Sequence, residues 1–451
     1  MASNRLDKAA MLFQEEFEKR FDSEFERWKK YILPFSYDVI LHEPVKWSSL
    51  TVHWSPTPSS AASSQAKLLY GNFIPAPGDA LLTFADVDLI TERVKKSQKL
   101  FVEGIGRKRD MVGRARFMPQ QEKIIGVKMR RMNLDDVDEV LVFDSTKFTL
   151  QDDQNYKVAQ PELRLIGSGL MNLGLSWSPF NEGCILSGSI DDITLWDLSA
   201  LPHHLHRTIF PIHVFKENGK VRDVQWHSLN KDLFGYVSDK DGVVVKDSRS
   251  NQIKFLIKDD HEHTNISFNP YKEWLLATGS AEKTVDLFDM RMQREKMLSF
   301  CGHQCGVARV EWDPNHEDIL ASAGLDGAVI LWDQRRFGRV KDKCAVEDYY
   351  KNDPSELMFR HAGHTEWLRD ISRNKNVPWL ISSVAEDQTL QVWKIAESAM
   401  HVKINKKRKK DYLTSSKSYS IFKRNRLAFA VIFRKKSHGV VITSSILHMQ
   451  V

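Results

Sequence analysis

Short apolar runs that end in small residues recur through the middle of the chain, with polar turn segments between them. Residues 273–279 read Glu-Trp-Leu-Leu-Ala-Thr-Gly, and residues 318–323 read Asp-Ile-Leu-Ala-Ser-Ala. Such runs are typical of short strands in a sheet that is covered on both faces. The Asp-Gly pairs at 241–242 and 326–327 are typical of tight hairpin turns. The pattern predicts an all-β protein made of short strands joined by hairpins.

Two markers repeat along the chain with one shared period. The first is a strand ending in Asp or, once, in Lys, at Val142–Asp144, Leu195–Asp197, Val245–Asp247, Leu287–Asp289, Leu331–Asp333 and Val392–Lys394. The final residues of these copies lie 53, 50, 42, 44 and 61 positions apart. The second marker is an aromatic residue that closes an inner strand before a turn, at Phe117, Trp177, Trp226, Phe268 and Trp312. This period predicts a WD-type β-propeller, in which each four-stranded blade buries its faces against its neighbours in a closed ring.

Six marked blades leave the ring incomplete, so a seventh blade is predicted in a divergent segment, residues 67–102. Leu68–Tyr70 and Leu81–Phe84 are strand-like there. The strand Leu50–Trp54 is expected to complete the last blade and close the ring, which removes exposed sheet edges. The predicted fold class is all-β: a seven-bladed WD-repeat β-propeller with an N-terminal α-helix and a basic C-terminal tail.

Three regions follow from this assignment. Residues 1–36 form an amphipathic helix, residues 37–396 form the propeller with an insertion at 337–360, and residues 397–451 form the tail. The helix is predicted from large apolar residues at three- and four-residue spacing, namely Phe13, Phe17, Phe21, Phe25, Trp28 and Ile32.

Composition and charge narrow the class of protein. The chain has no run of about 18 apolar residues and no apolar signal-peptide region, and its four cysteines are too few for a disulfide framework, so a soluble protein of a reducing compartment is expected. Residues 401–451 hold 13 Lys and Arg against the single acid Asp411, a net charge of +12. Because the whole chain carries +6, residues 1–400 carry −6. An acidic body favours a basic partner, and a basic tail favours import receptors, nucleic acid or another polyanion.

Motifs for catalysis or metal binding are absent from the sequence. The segment Cys301–Cys305 holds Cys, His and Cys, but a zinc site requires a fourth ligand nearby, and its Gly302-His303 pair matches the Gly363-His364 pair that precedes another blade. There is no phosphate loop and no nucleophile elbow. We therefore expect no catalytic residue, no metal and no cofactor, and a protein that is not an enzyme.

The aromatic helix and the insertion each have two interpretations. The helix either packs its whole apolar side on the propeller or leaves part of it as one wall of a groove for a partner helix. The insertion is either a solvated loop or a cationic-partner site, in which Asp348 and Asp353 hold Lys or Arg while Leu357 and Phe359 contact apolar groups. The cluster Lys406, Lys407, Arg408, Lys409 and Lys410 is either a nuclear localisation signal or a solubilising tail.

Seven segments resemble one known family, at Trp28–Lys30, Pro34–Asp38, Arg114–Gln120, Leu175–Trp177, Asn269–Tyr271, Leu276–Ser280 and Glu356–Phe359. They resemble the histone-binding WD-repeat family, which includes the retinoblastoma-binding proteins and the small subunit of chromatin assembly factor. The resemblance runs in order from about residue 20 to residue 396 and includes the N-terminal helix and the insertion.

This resemblance implies a nuclear, non-catalytic scaffold subunit of chromatin assembly, deacetylase, remodelling or Polycomb-type complexes, a monomer within each. In that family the first helix of histone H4, or a similar partner helix, docks between the N-terminal helix and the insertion. The matching positions here are Phe25, Trp28, Asp348, Asp353, Leu357 and Phe359. The implied partners are histone H4, alone or as H3–H4, and the other subunits of such complexes, without membrane binding.

Departures from the family pattern change part of this expectation. The family binds the histone H3 N-terminus through acidic residues at the channel mouth, but four matching positions here are Met111, Met171, Arg222 and Gly306, and only Glu386 keeps its acid. We therefore expect weak H3-tail binding, since charge-assisted contacts are worth about 1.5–3 kcal/mol each. Arg360 replaces an apolar residue and is expected to repel a histone helix, and Arg373 replaces a structural Trp.

A rival interpretation makes the chain a degenerate propeller that binds an acidic partner or nucleic acid. Its basic surface would comprise the tail, residues 107–109, Arg114 and Arg116. Affinity that falls steeply with salt would favour this interpretation.

Overall fold

A computed structural model of the chain describes residues 22–57, 65–72, 80–102, 111–130, 138–147, 158–168, 174–199, 208–217, 219–292, 295–338, 353–396, 399, 432–436 and 439–443. Within these ranges a helix runs through residues 22–31, and β1 (Tyr37–Pro44) follows a short turn. No helix in the described ranges is long and apolar enough to cross a membrane.

The next strands form four blades in chain order. The first blade has β2 (Ser49–Trp54), β3 (Gln65–Asn72), β4 (Ala80–Asp88) and β5 (Arg93–Val102). The second has β6 (Met111–Phe117), β7 (Ile124–Arg130), β8 (Asp138–Asp144) and, after β9 (Val158–Ala159), β10 (Leu163–Ser168). The third has β11 (Leu175–Trp177), β12 (Cys184–Gly188), β13 (Asp192–Asp197) and, after β14 (Thr208–Ile209), β15 (His213–Lys216). The fourth has β16 (Val221–Trp226), β17 (Leu233–Ser238), β18 (Gly242–Asp247) and β19 (Ile253–Ile257). The short strands β9 and β14 lie parallel to the outer edges of the first and second blades.

Three more blades complete the ring. The fifth has β20 (His263–Phe268), β21 (Leu275–Ser280), β22 (Thr284–Asp289) and β23 (Leu298–Cys301). The sixth has β24 (Val307–Trp312), β25 (Ile319–Gly324), β26 (Val329–Asp333) and β27 (Leu357–His361). The seventh has β28 (Leu368–Arg373), β29 (Leu380–Ala385), β30 (Thr389–Ile395) and β1 as its outer strand. Single turns of 3-10 helix lie at Ser145–Lys147 and Gln334–Arg336. The described strands thus confirm the predicted seven-bladed propeller.

The prediction for ring closure was wrong in its choice of strand. β1 pairs antiparallel with β30 and closes the seventh blade, whereas β2, which contains Leu50–Trp54, is the inner strand of the first blade. Burial explains the difference, because β1 alternates buried Val39 and Leu41 with more exposed residues, as an outer strand does. β2 is covered on both faces, and Trp54 occupies the place of the inner-strand aromatic marker.

The seven inner strands form a closed ring stitched by side-chain hydrogen bonds. An acceptor side chain on one inner strand takes a backbone N–H from the inner strand of the next blade, as in Thr51 to Ala115, His53 to Phe117, Ser176 to Trp226, Gln225 to Phe268, Asn265 to Val310, Ser267 to Trp312 and Ser372 to Trp54. These bonds satisfy N–H groups that have no strand partner on the channel side. They also place two side chains from each inner strand near the propeller axis.

The Gly-His pairs that precede blades have a structural role. His303 Nδ1 lies 3.0 Å from Asp326 Oδ2, and His303 Nε2 lies 2.7 Å from Ser322 Oγ, which also accepts from Trp332 Nε1. His364 repeats the arrangement with Asp387 and Ser383. Both ring nitrogens of His303 are therefore engaged within the blade. No group of three or more potential metal ligands occurs in the described part of the chain.

The structure describes two strands in the tail. β31 (Ile432–Lys436) and β32 (Gly439–Thr443) pair antiparallel. They belong to a compact unit separate from the propeller. An isolated two-stranded hairpin is marginally stable in water.

Candidate functional site: a side groove and a channel mouth

The N-terminal helix is attached to the propeller by a chain of hydrogen bonds. The buried Trp28 donates from Nε1 to Tyr37 Oη at 2.8 Å, and Tyr37 Oη lies 2.7 Å from His361 Nδ1. His361 Nε2 lies 3.0 Å from Gln391 Oε1, while the amide nitrogen of Gln391 donates to the Gly363 carbonyl. Since the Gln391 oxygen accepts, His361 carries its proton on Nε2 and accepts from Tyr37 on Nδ1. The helix is thereby linked to β27 and β30, on two different blades.

Aromatic rings pack around this chain. The Trp28 ring meets the His361 ring edge-on at 5.2 Å, and His361 stacks on Trp393 at 4.3 Å. Tyr37 contacts Phe359 with ring centroids 5.5 Å apart. Burial, helped by the nearby His364, holds the pKa of His361 well below its usual value, so the ring is neutral near pH 7. The helix and the end of the insertion therefore meet through neutral groups.

The described end of the insertion turns its apolar residues inward. Leu357 and Phe359 on β27 are buried, with 7% and 4% of their surface exposed. Asp353 accepts a hydrogen bond from Arg360 Nη2 at 2.9 Å, and the same nitrogen donates to the Gly302 carbonyl at 3.1 Å. Arg360 is thus a buried anchor for the insertion, and it neutralises Asp353. Asp348 lies outside the described residues.

We call the space between the residue 22–31 helix and the β27 end of the insertion the side groove. Phe25 is half-buried at its edge, with its ring 5.8 Å from that of Trp28. Phe35, just after the helix, is 62% exposed. Of the predicted apolar contact residues that the structure describes, Trp28, Leu357 and Phe359 form the groove wall, and Phe25 retains accessible surface.

At the channel mouth, the single retained acid is also paired. Glu386 accepts from Arg369 Nε at 2.7 Å and from a second nitrogen of the same guanidinium. Arg369 also lies over the ring of Trp367 at 5.2 Å. Arg222 pairs with Glu262 across the same end of the inner ring. Met171 lies outside the described residues.

Two basic residues of the rival interpretation are not on the surface. Arg114 and Arg116 on β6 are 6% and 8% exposed, so their placement in a basic surface was wrong. They are buried because both occupy inward-facing positions of an inner strand, where Arg116 Nη2 pairs with Asp370 Oδ2 at 3.0 Å. Residues 107–109 and the cluster Lys406–Lys410 lie outside the described residues.

Sequence reasoning missed Tyr37, His361 and Gln391 as parts of the groove. Tyr37 lies within the family-like segment Pro34–Asp38, which was a usable signal. His361 and Gln391 carried no local signal, because their pairing depends on how the sixth and seventh blades meet.

Comparisons with known proteins agree with this architecture. Residues 23–91 match the family model for the histone-binding protein RBBP4 or the equivalent component of the CAF1 complex. Residues 294–333 and 355–394 match the WD domain, G-beta repeat model. The chain is 37% identical over 401 residues to the WD-40 repeat-containing protein MSI3 of Arabidopsis thaliana, an alignment that covers 84% of this chain and 90% of that protein. The chain therefore belongs to the histone-binding WD-repeat family that includes MSI3 and RBBP4.

Proposed function

We propose that this protein is a nuclear, non-catalytic scaffold subunit of a chromatin complex and that it binds the first helix of histone H4, or a similar basic amphipathic helix, in the side groove. The observation that carries the proposal is the joining of the N-terminal helix to β27 through Trp28, Tyr37 and His361. Because the two walls are tied together in the free protein, the groove is formed before a ligand arrives. A preformed groove reduces the ordering cost of binding.

Apolar contact is the main attraction in this proposal. Phe25 and Phe35 offer aromatic surface to the apolar side of a helix, which is the usual mode of helix-in-groove recognition. Acidic residues on the helix add a weaker electrostatic part. Glu26 is exposed, and its carboxylate lies 3.6 Å from Lys29 in a pair that exposed surroundings leave weak. A basic partner can therefore compete for it.

Little binding of the H3 N-terminus is expected on the same grounds. Glu386 is neutralised by Arg369, and Met111 supplies no charge. The described channel mouth therefore offers a cationic peptide balanced charges rather than an acidic surface.

Calorimetric titration of the full-length protein with an H4 first-helix peptide and, separately, an H3 N-terminal peptide tests the proposal. We expect saturable H4 binding, and we expect Phe25→Ala to weaken it about tenfold or more, since a hot-spot aromatic contributes roughly 1–2 kcal/mol. The matched control is Phe180→Ala, which removes a 46% exposed Phe from a loop of the third blade and should leave affinity unchanged. Absence of H4 binding, or equal losses in both variants, would contradict the proposal.

A further inference from the structure

One layer of inward-facing side chains in the channel has an unusual charge balance. We call it the channel layer; it contains the residue three positions before the end of each inner strand, namely Thr51, Arg114, Gly174, Asp223, Asn265, Arg309 and Asp370. Most inner strands present a hydrogen-bond acceptor at this position for the next blade. Arginine takes that place in β6 and β24, so the acceptor pattern is interrupted twice.

The two aspartates of the channel layer are already occupied. Asp223 accepts from Arg309 Nη1 at 2.6 Å, a pair that reaches from the sixth blade to the fourth. Asp370 accepts from Arg116 at 3.0 Å, from the Thr51 hydroxyl at 3.2 Å and from the Val52 backbone at 3.1 Å. Although burial alone would raise it, Arg116, Arg114 and Arg309 lower the pKa of Asp370, so this carboxylate is ionised.

Arg114 is the surplus cation. Its side chain is 7% exposed, its nearest carboxylate oxygen is Asp370 Oδ1 at 3.9 Å, and its guanidinium has no hydrogen-bond partner in the described part of the chain. The neighbouring third blade contributes Gly174, which has no side chain to accept from it. Burial, reinforced by the positive charge of Arg309, lowers the pKa of Arg114 to about 9.

Arg309 faces the same space with an unused donor. Its Nε is buried without a hydrogen-bond partner and lies 3.7 Å from Asp370 Oδ1. With Arg116, which reaches into the layer, three guanidinium groups share two carboxylates. Glu311, two residues further along β24, does not supply a full compensating charge, because burial raises its pKa to about 7.

We propose that the channel binds a compact inorganic oxyanion of the phosphate class between Arg114 and the free Nε of Arg309. Planar guanidinium groups pair with oxyanions through parallel N–H···O bonds, and such contacts are strong where water is excluded. A bound oxyanion would balance the third cation and satisfy buried donors that otherwise lack partners. The deep position of Arg114 favours a small free ion over the acidic side chain of a partner. This site is separate from the side groove and does not depend on the histone proposal.

Thermal unfolding of the full-length protein in phosphate and in chloride at matched ionic strength tests the site. We expect phosphate to raise the unfolding midpoint saturably, by about 2 °C at a tenfold excess over its dissociation constant, and chloride to have a smaller effect. Arg114→Gln should lose the phosphate response without lowering the midpoint in phosphate-free buffer, because it removes an uncompensated buried charge. A purely structural role for Arg114 predicts the reverse, a lowered midpoint with the phosphate response retained.

Two further variants keep the test decisive. Arg222→Gln removes a cation at the channel mouth that is paired with Glu262, and it should keep the full phosphate response. If Arg114→Gln does not fold, Arg114→Lys retains the charge but loses the planar fork, and it should show a reduced phosphate response. No response in the wild-type protein, equal responses to phosphate and chloride, or an unchanged response in the folded Arg114 variant would overturn the proposal.

Discussion

The side groove and the central channel are held together by opposite means. The groove walls meet through the neutral chain from Trp28 to Gln391 and through stacked aromatic rings, whereas the channel is braced by buried ion pairs between Arg116, Arg309 and two aspartates. At the margin of each region an acid that sequence analysis assigned to a cationic ligand is already paired with an arginine.

This difference explains why the two sites have different expected fates. In the groove, the pairing of Asp353 with Arg360 removes one charge but leaves the aromatic wall intact. At the channel mouth, charge is the main attraction for a cationic peptide, and the pairing of Glu386 with Arg369 cancels it. A site based on shape therefore tolerates the loss of an acid better than a site based on charge.

The largest effect should come from removing a ring of the groove wall. Phe359→Ala deletes a buried side chain that contacts Tyr37 and Trp393, and we expect a loss of about 3–5 kcal/mol in the free energy of unfolding. Chemical denaturation measures this change directly. Phe25→Ala should cost far less stability while affecting H4 binding. Equal stability losses in the two variants would show that Phe25 belongs to the core and not to the groove edge.

The two regions should also respond to pH with opposite signs. Burial raises the pKa of Glu311 to about 7 from 4.5, although Arg309 and Arg373 act to lower it. A carboxyl group whose pKa is raised by folding stabilises the protein below its unfolded pKa, and this stability is lost as the pH rises through 7. For His361, burial lowers the pKa, so the groove loses stability as the pH falls below about 6.5.

Substitution of Glu311 isolates the channel part of this behaviour. In Glu311→Gln, stability should no longer fall between about pH 5 and pH 7, a difference from wild type of at most about 3 kcal/mol. Denaturation midpoints across that range provide the measurement. His361→Gln is the matched control, because it should alter only the acid side of the profile. A Glu311→Gln profile that parallels the wild type would mean that Glu311 is ionised throughout in the folded state.

The fold was largely predictable from the sequence, and the exception is instructive. The repeated strand ends and aromatic markers predicted seven blades because they report a period set by blade stacking. The closing strand was misassigned although Trp54-Ser55-Pro56 repeats the pattern of Trp177-Ser178-Pro179, an inner-strand signal that placed β2 correctly.

The site residues were harder to predict than the fold. Trp28, Leu357 and Phe359 were placed at the groove by resemblance, but periodicity does not tell a wall residue from a contact residue. Arg360 was expected to repel a ligand, and instead it turns inward to Asp353. Such pairings join elements that are distant along the chain or turn a side chain away from solvent, so they emerge only in three dimensions.

The smallest expected effect tests the charge side of the comparison. Arg369→Gln removes the partner of Glu386 and should strengthen binding of an H3 N-terminal peptide by about threefold to tenfold, because partly exposed ion pairs are worth roughly 1 kcal/mol. Isothermal titration at low and moderate salt would measure the gain, which screening should reduce. Arg369→Gln combined with Glu386→Gln is the control, and it should return the affinity to the wild-type value. If the single variant binds no better than wild type, the lost acids elsewhere at the mouth, and not the Arg369 pair, limit recognition of cationic peptides. The side groove should be indifferent to both variants, since the Arg369 guanidinium is held by Glu386 and Trp367 and takes no part in the hydrogen-bond chain from Trp28 to Gln391. H4 affinity measured in parallel would verify that the two sites are independent.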